Sequence, residues 1–178
     1  KGLDTLASAA HRLVNDQNVR FVIAGSAKSD YSKSLPQKFP GENTKFLGWT
    51  KPEDFFPQID VLVVPSLFRE PFGRVVIEAF AQGVPVIGAR SGGIPESIDP
   101  GKDGYLFDPG DDKALAAEIA AMAAKPEAIP ALSRAALEAA RRYEPQKIAA
   151  GFDAVFAKLR PDLAKQPQDE AEPRQARG

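Results

Sequence analysis

The sequence contains no cysteine and only one histidine among its 178 residues. Without cysteine the chain forms no disulfide, thiolate metal site or thiol nucleophile, and one histidine cannot build a histidine cluster. These absences remove most of the support for zinc chemistry and for a Ser-His-Asp triad. The sequence also lacks an excess of charge of either sign, because it contains 23 Lys and Arg and 24 Asp and Glu. Since binding through phosphate contacts requires a basic excess, we expect no sequence-independent binding to nucleic acid.

Long apolar runs are missing as well. No segment approaches the roughly 20 apolar residues that a membrane helix needs. Residues 1–6 lack the apolar core of a signal peptide. We therefore expect a cytoplasmic protein.

Short apolar segments alternate with helix-like segments over the first two thirds of the chain. Strands are predicted where apolar runs end at Gly, Pro or Ser, at residues 19–24, 45–47, 61–64 and 84–87. Helices are predicted at residues 2–14, around residue 32, at 52–57 and at 74–82. The runs are nearly continuous, which is typical of parallel strands buried on both faces. This order predicts a Rossmann-like, doubly wound parallel α/β sheet.

The last third is rich in alanine and has no strand pattern. Helices are predicted at residues 111–124, at 129–142 and from Pro145 onward. Residues 161–178 contain three prolines, seven charged residues and no aromatic residue, so we expect a disordered tail after a domain of residues 1–160. The chain also begins on a helix, so its first βαβ unit has no first strand.

Residues 65–78 run from a strand end through a loop into a helix, the place where open α/β sheets bind ligands. Pro71 and Gly73 make the turn. Four backbone N–H groups at or near the helix start then lack intrahelical acceptors and suit a phosphate: those of Phe72, Gly73, Arg74 and Val75.

Two carboxylates in this segment have two interpretations each. Glu78 stands among apolar residues, and a buried charge needs a dedicated partner. That partner is either a bound ligand or Arg74 as an i,i+4 ion pair. Glu70 precedes Pro71, whose ring holds it in an extended loop. There it either reaches the hydroxyls of a polar ligand or remains a solvated loop carboxylate.

Other candidate residues follow the same strand-end logic. Gly25 ends a strand and could admit a nucleobase or ribose, although a single Gly is usually a turn residue. At residues 92–96, two glycines permit close backbone approach, and Pro95 and Glu96 suit a first helical turn. A plain turn before a capped helix explains that segment equally well. Lys1 could pair with a phosphate or be solvated.

The motifs together resemble a known family. The stretches that carry the resemblance are residues 1–6, 22–25, 46–50, 60–66, 70–86, 92–96, 104–107 and 109–112. Their centre is Glu-Pro-Phe-Gly followed, after four residues, by Glu-Ala. In this order they resemble the C-terminal, donor-binding domain of family 4 retaining glycosyltransferases of the GT-B fold, over Lys1 to about Arg160.

The resemblance implies a role for each matching position. Glu78 would bind the ribose of a nucleotide diphosphate sugar, and Glu70 would contact the donor sugar as the catalytic carboxylate. The remaining donor contacts would come from Phe72 and Gly73 amides at the sugar, Arg74 and Val75 amides with Lys1 at the diphosphate, and Gly25, Trp49 and Thr50 at the base. Such enzymes work without a bound metal or other cofactor, so helix dipole and cations would stabilise the leaving diphosphate.

Two departures from the family pattern shape the expectation. The family has an arginine a few residues before the position of Lys1, and this sequence lacks it. The sequence also lacks the first strand, which is central in the family's sheet, and the N-terminal acceptor-binding domain. The chain is therefore expected to be a fragment that binds a UDP- or GDP-sugar weakly and does not turn over. The full-length protein would be the enzyme, with the acceptor bound by its N-terminal domain. That domain could also contact a membrane. The resemblance implies a role in polysaccharide or lipid-linked glycan assembly.

Competing functions remain. A GT-B nucleotide-sugar epimerase shares the architecture, although its usual carboxylates and histidine are not recognisable. A non-catalytic nucleotide-sugar-binding domain is the second alternative. A dinucleotide-binding domain would need Gly-x-Gly-x-x-Gly after a strand, which the sequence lacks.

Overall fold

The computed structural model describes residues 2–25, 30–41 and 43–160. The predicted phosphate contact Lys1 and the predicted tail at 161–178 lie outside these residues. The chain divides into two compact units, residues 1–141 and residues 142–178. The five strands found among the described residues belong to the first unit.

Strands and helices alternate along the first unit. The strands are β1 (Phe21–Ala24), β2 (Thr44–Gly48), β3 (Leu62–Val64), β4 (Val86–Ala89) and β5 (Gly104–Phe107). Its helices are α1 (Leu3–Arg12), α2 (Asp30–Lys38), α3 (Pro52–Phe55), α4 (Arg74–Ala81), α5 (Ile94–Ser97), α6 (Asp112–Ala123) and α7 (Ile129–Ala140). The predicted order of elements is confirmed, apart from β5, which the apolar pattern did not predict.

All strand pairs are parallel, which confirms the α/β class. The strands form two sheets, one of β1 and β2 and one in the order β3-β4-β5. In register, Phe21 pairs with Thr44 in the first sheet. Val86 of β4 pairs with Leu62 on one side and with Gly104 on the other.

Helices cover both faces of the three-stranded sheet. Val86 packs in a core cluster with residues of α4 and α7, whereas its neighbour Ile87 packs in a second cluster with residues of α1 and α6. Successive side chains of a strand point to opposite faces, so one strand supplies both cores. Every residue of β4 is buried, which makes it the innermost strand.

Burial on both faces is not found for every strand. In β2, Lys45 and Phe46 are exposed, so the prediction of burial on both faces is wrong there. The physical reason is packing, because neither Lys45 nor Phe46 belongs to either of the core clusters that the strands form with the helices.

Local chemistry sets several helix ends. The side chain of Asp111 accepts hydrogen bonds from the N–H groups of Lys113 and Ala114 and so caps α6. Gly83 follows α4 with φ of 71°, the left-handed conformation that ends a helix. The predicted stop at Gly83 is confirmed.

A surface cluster joins α1 to α2. Asp4 of α1 accepts hydrogen bonds from Lys38 at 2.6 Å and from the Tyr31 hydroxyl at 2.8 Å. The bonds from Lys38 and Tyr31 hold the pKa of Asp4 below its ordinary value. Burial, followed by the bond to Asp4, raises the pKa of Tyr31.

The second unit contains helix α8 (Pro145–Leu159), which begins at the predicted Pro145. Its large apolar side chains are exposed: Ile148, Phe152, Val155, Phe156 and Leu159. Over the residues that the structure describes, no helix has both the length and the apolar character required to cross a bilayer.

Candidate active site

Two loops at the carboxyl ends of β3 and β4 lie against each other. The N–H of Gly93 donates to the carbonyl of Glu70 at 2.8 Å. The Ser91 hydroxyl donates to the carbonyl of Phe68 at 2.7 Å. Ligands of open parallel sheets bind at this edge. The two joined loops therefore form the candidate site.

Two glycines permit this contact. A Cβ on Gly92 would lie 2.1 Å from the carbonyl oxygen of Glu70, and one on Gly93 would lie 2.8 Å from that of Pro71. Gly92 also has φ of +57°, a conformation that side chains disfavour. The sequence indicated close backbone approach here, and the neighbour that approaches is the loop carrying Glu70.

Helix α4 points its amino end toward the same edge. Gly73 precedes it in the left-handed conformation, with φ of 63°, and no side chain caps the helix. The N–H groups of Arg74 and Val75 have no acceptor within the helix, because they belong to its first turn. That turn carries partial positive charge and suits an anion.

Glu78 lies one turn further along α4 and pairs with Arg74. Arg74 Nε lies 2.9 Å from Glu78 Oε1, and the two side chains are 86% and 37% exposed. The expectation that Glu78 is buried is wrong, because its side chain faces an open cavity. The ion pair that the sequence left as an alternative is present. Such helical pairs contribute only about 0.2 to 0.5 kcal/mol, so a ligand can displace Arg74 at little cost.

Glu70 is half-buried and held by a neighbour that sequence reasoning did not single out. The hydroxyl of Ser66 donates to Glu70 Oε1 at 3.1 Å. Ser66 is 3% exposed and follows β3 directly after Pro65. The signal available in the sequence was its place in the Pro-Ser dipeptide that ends the strand.

A cavity of about 750 Å³ opens beside α4. Five predicted donor contacts line it, namely Gly25, Trp49, Thr50, Val75 and Glu78. Four more lie on the β3–α4 loop and the first turn of α4, namely Glu70, Phe72, Gly73 and Arg74. The structure thus brings residues that follow β1 and β2, together with residues of α4, to one opening, while their individual roles stay predictions.

Backbone contacts shape the side of the opening formed by β1 and β2. The N–H of Gly25 donates to the carbonyl of Gly48 at 2.7 Å. The Thr50 hydroxyl donates to the same carbonyl at 3.3 Å. Trp49 is 71% exposed, so its ring is available to a ligand or to another protein surface.

Within residues 2–25, 30–41 and 43–160, no three His, Asp or Glu side chains converge as the ligands of a metal do. The prediction that no metal takes part stays a prediction.

Parallel strands, helices on both faces and a site at the carboxyl ends of the strands together define a Rossmann-like α/β domain. The family model described as glycosyl transferases group 1 matches residues 1–142. The chain belongs to this family.

Similarity to individual proteins extends over most of the chain. Sulfoquinovosyl transferase SQD2 of Arabidopsis thaliana is 32% identical over 150 residues, which cover 81% of this chain and 28% of the relative. A D-inositol 3-phosphate glycosyltransferase of Corynebacterium glutamicum is 30% identical over 168 residues, covering 88% of this chain and 40% of the relative. The chain therefore spans less than half the length of these relatives.

A solved structure shares the fold. HepE of Anabaena, crystallised in complex with UDP, superimposes with a TM-score of 0.75 at 27% identity. The match covers 89% of this chain and 44% of HepE. HepE has also been crystallised in complex with UDP-glucose.

Proposed function

We propose that the chain is the donor-binding part of a retaining glycosyltransferase, which transfers a sugar from a UDP- or GDP-sugar to an acceptor. The observation that carries the proposal is the position of Glu78, which lines the cavity one turn from the uncapped start of α4. A nucleotide diphosphate needs both features, a carboxylate for ribose hydroxyls and a positive helix end for phosphates. The complexes of the similar HepE with UDP and UDP-glucose support this ligand class.

The donor would lie along the carboxyl edge of the sheets. Gly25, Trp49 and Thr50 would border the base, largely through backbone, and Glu78 would accept hydrogen bonds from the ribose. The diphosphate would meet the Arg74 and Val75 amides, with Lys1 as a further cation. Glu70, held by Ser66 and by Gly93, would contact the sugar.

The catalytic contribution of this domain would be electrostatic. Negative charge develops on the diphosphate when the bond to the sugar breaks, and preorganised N–H donors stabilise it without reorganisation. A helix terminus contributes about 0.3 to 1 kcal/mol to such an anion at an exposed site and up to about 2 kcal/mol when partly buried. Under this proposal no metal is required.

The acceptor would be bound by a further domain. The relatives are more than twice as long as the matched region, which leaves room for an acceptor-binding domain in the full-length protein. Contact with a membrane would be made by that domain, and residues 1–178 alone would not catalyse transfer.

The test is calorimetric titration of the chain with UDP, GDP and ADP, comparing wild type with Glu78→Gln. We expect one nucleotide to bind and the substitution to weaken it by about 1.5 to 3 kcal/mol, as for a hydrogen bond to a charged group. Glu138→Gln is the matched control, because Glu138 also pairs with an arginine on a helix, at 3.2 Å from Arg141, but does not line the cavity. Equal affinities of both variants and wild type would show that Glu78 serves only as the partner of Arg74.

The epimerase alternative is separated by product analysis. A full-length protein that changes the donor's sugar without an acceptor, and transfers none when acceptors are supplied, would replace the transferase proposal.

A further inference from the structure

The loop that carries Glu70 connects β3 to α4 and contains neither helix nor strand. Its large apolar side chains are about half-exposed, namely those of Leu67, Phe68 and Phe72. Burial of apolar surface therefore fixes this loop less firmly than it fixes the sheet. The position of Glu70 depends on the hydrogen bonds that the loop makes with its surroundings.

Ser91 holds the middle of this loop. Its hydroxyl donates to the carbonyl of Phe68 at 2.7 Å, and the residue is only 6% exposed. Phe68 lies halfway along the chain between Ser66 and Glu70. The side chains of Ser66 and Glu70 are themselves joined by a hydrogen bond of 3.1 Å. The bond from Ser91 thus fixes the bend of the backbone across which Ser66 reaches Glu70.

Ser91 is itself anchored to the sheet. Its N–H donates at 2.7 Å to the carbonyl of Ala89, the last residue of the buried strand β4. Its carbonyl accepts from the N–H of Ile94, the first residue of α5, at 3.3 Å. The N–H of the preceding residue, Arg90, donates to the carbonyl of Phe107 at 2.8 Å. Ser91 therefore links the position of the loop to the position of the innermost strand.

The bond from Ser91 differs in kind from the bond that Gly93 donates to Glu70. Gly93 donates through its backbone N–H, which every residue except proline carries. Ser91 donates through its side chain. Alanine at position 91 therefore removes this bond to Phe68 and keeps the backbone bonds of the same turn.

We propose that Ser91 is a positioning residue for the carboxylate of Glu70 and acts through the carbonyl of Phe68. This role rests on the proposed function, under which Glu70 contacts the donor sugar. Loss of the Ser91 hydroxyl shifts Glu70 relative to the sugar. It leaves Glu78 and the first turn of α4, where the nucleotide is proposed to bind, in place. Ser91 thus affects binding of the sugar and not binding of the nucleotide.

The test is titration of the chain, followed by NMR, with UDP and UDP-glucose and with GDP and GDP-glucose, because each pair differs only in the sugar. The variants are Ser91→Ala and Ser91→Thr, which keeps the hydroxyl. Ser97→Ala is the matched control, because it removes the hydroxyl of a serine in α5 that is only 3% exposed.

We expect Ser91→Ala to weaken the sugar nucleotide by about twofold to tenfold and to leave the nucleotide unchanged, as for the loss of one hydrogen bond. Ser91→Thr should restore the affinity for the sugar nucleotide. Ser97→Ala should keep the wild-type ratio of the two affinities.

A second measurement requires no ligand. Ser66→Ala, Ser91→Ala and the double variant are compared by urea unfolding. Because Ser91 acts on the bend that Ser66 spans, the two substitutions should be coupled. The unfolding equilibrium constant of the double variant should differ by at least about twofold from the value expected for independent effects.

Two results would overturn the role of Ser91. Equal effects of Ser91→Ala on nucleotide and sugar nucleotide would show that the hydroxyl only stabilises the fold. Independent effects of Ser66→Ala and Ser91→Ala would show that Ser91 does not act on the bond between Ser66 and Glu70. In both cases the proposed function stands if Glu78→Gln still weakens the nucleotide. A wild-type chain that binds none of the four compounds would overturn the proposed function, and the role of Ser91 with it.

Discussion

The N–H of Gly93 donates a hydrogen bond of 2.8 Å to the carbonyl of Glu70. The bond ties the loop after β4 to the loop after β3, so the backbone of Glu70 is fixed by a residue 23 positions later in the chain. The Glu70 side chain is fixed separately, by Ser66. The geometry of Glu70 therefore depends on both loops together.

Substitution of Gly92 tests this dependence. Alanine at Gly92 places a Cβ 2.1 Å from the Glu70 carbonyl and also forces a side chain into the left-handed conformation. Gly101→Ala is the matched control, since Gly101 has φ of +83° and open space around its Cβ position. Both variants should lose the conformational term of about 1 to 2 kcal/mol. Gly92→Ala should lose about 1 to 3 kcal/mol more of its free energy of unfolding, as overpacked sites do. Urea unfolding of both variants measures the difference. Equal losses of stability in the two variants would show that the loop of Glu70 moves away from the added Cβ at no cost.

Ser66→Ala isolates the side chain of Glu70. Under the proposed function Glu70 contacts the sugar, so the variant should bind UDP as the wild type does and UDP-glucose more weakly. The expected difference is about 0.5 to 1.5 kcal/mol, the net value of one hydrogen bond. Ser34→Ala, which removes a hydroxyl that donates to the Tyr31 carbonyl within α2, serves as the control. The prediction fails if UDP and UDP-glucose lose affinity equally.

The sequence predicted the fold better than it predicted the surroundings of individual residues. Apolar runs and punctuating glycines located β1 to β4, because local pattern reflects strand burial. β5 was not predicted, because its first residue is a glycine that is required by a tertiary contact: a Cβ on Gly104 would lie 2.1 Å from the Val86 carbonyl oxygen. A contact between two strands of this kind cannot be predicted from the local sequence pattern.

The candidate site shows the same limit. The sequence predicted the position of Glu78 on α4 correctly, but its prediction that the side chain is buried was wrong. The apolar neighbours Val76, Ala79 and Phe80 pack into a core cluster, whereas the Glu78 side chain is 37% exposed. Ser66 was missed because the Pro-Ser dipeptide indicates the end of a strand and does not indicate which side chain the serine contacts. Its contact with Glu70 exists only because the intervening loop folds back.

The pH dependence of stability is expected to report the Asp4 cluster. Hydrogen bonds from Lys38 and Tyr31 lower the pKa of Asp4 below its ordinary value of 3.8. A lowered pKa in the folded state stabilises the protein above the ordinary value, and this contribution is lost as the pH falls through the lowered pKa. Asp4→Asn should therefore be less stable than wild type at pH 7, by about 0.2 to 1 kcal/mol as for exposed ion pairs. The difference should shrink to nothing in strong acid.

Urea unfolding of both proteins between pH 7 and pH 2 measures this difference. Asp30→Asn is the control, since Asp30 pairs with its helical neighbour Lys33 at 3.0 Å and its side chain is 99% exposed. A stability difference for Asp4→Asn that persists at the lowest pH would show that packing, and not charge, is responsible.

Under the proposed function, Arg74 and a bound ribose would compete for the carboxylate of Glu78, and this competition can be measured. Arg74 Nε lies 2.9 Å from Oε1 of Glu78, which lines the cavity, so a ribose hydroxyl that is to use this oxygen would have to displace Arg74. Arg74→Ala removes the competitor. Binding of uridine, which has no phosphate, should become about twofold tighter, the equivalent of the 0.2 to 0.5 kcal/mol of such a pair.

UDP should gain less than uridine does. Once displaced, the Arg74 side chain lies at the first turn of α4, where the diphosphate is proposed to bind, and an exposed ion pair there contributes about 0.2 to 1 kcal/mol. Arg74→Ala should therefore lower the affinity for UDP relative to that for uridine by up to about fivefold. Arg141→Ala, which breaks the comparable pair with Glu138, should change neither affinity. An unchanged ratio of the two affinities in Arg74→Ala would show that Arg74 does not face the diphosphate.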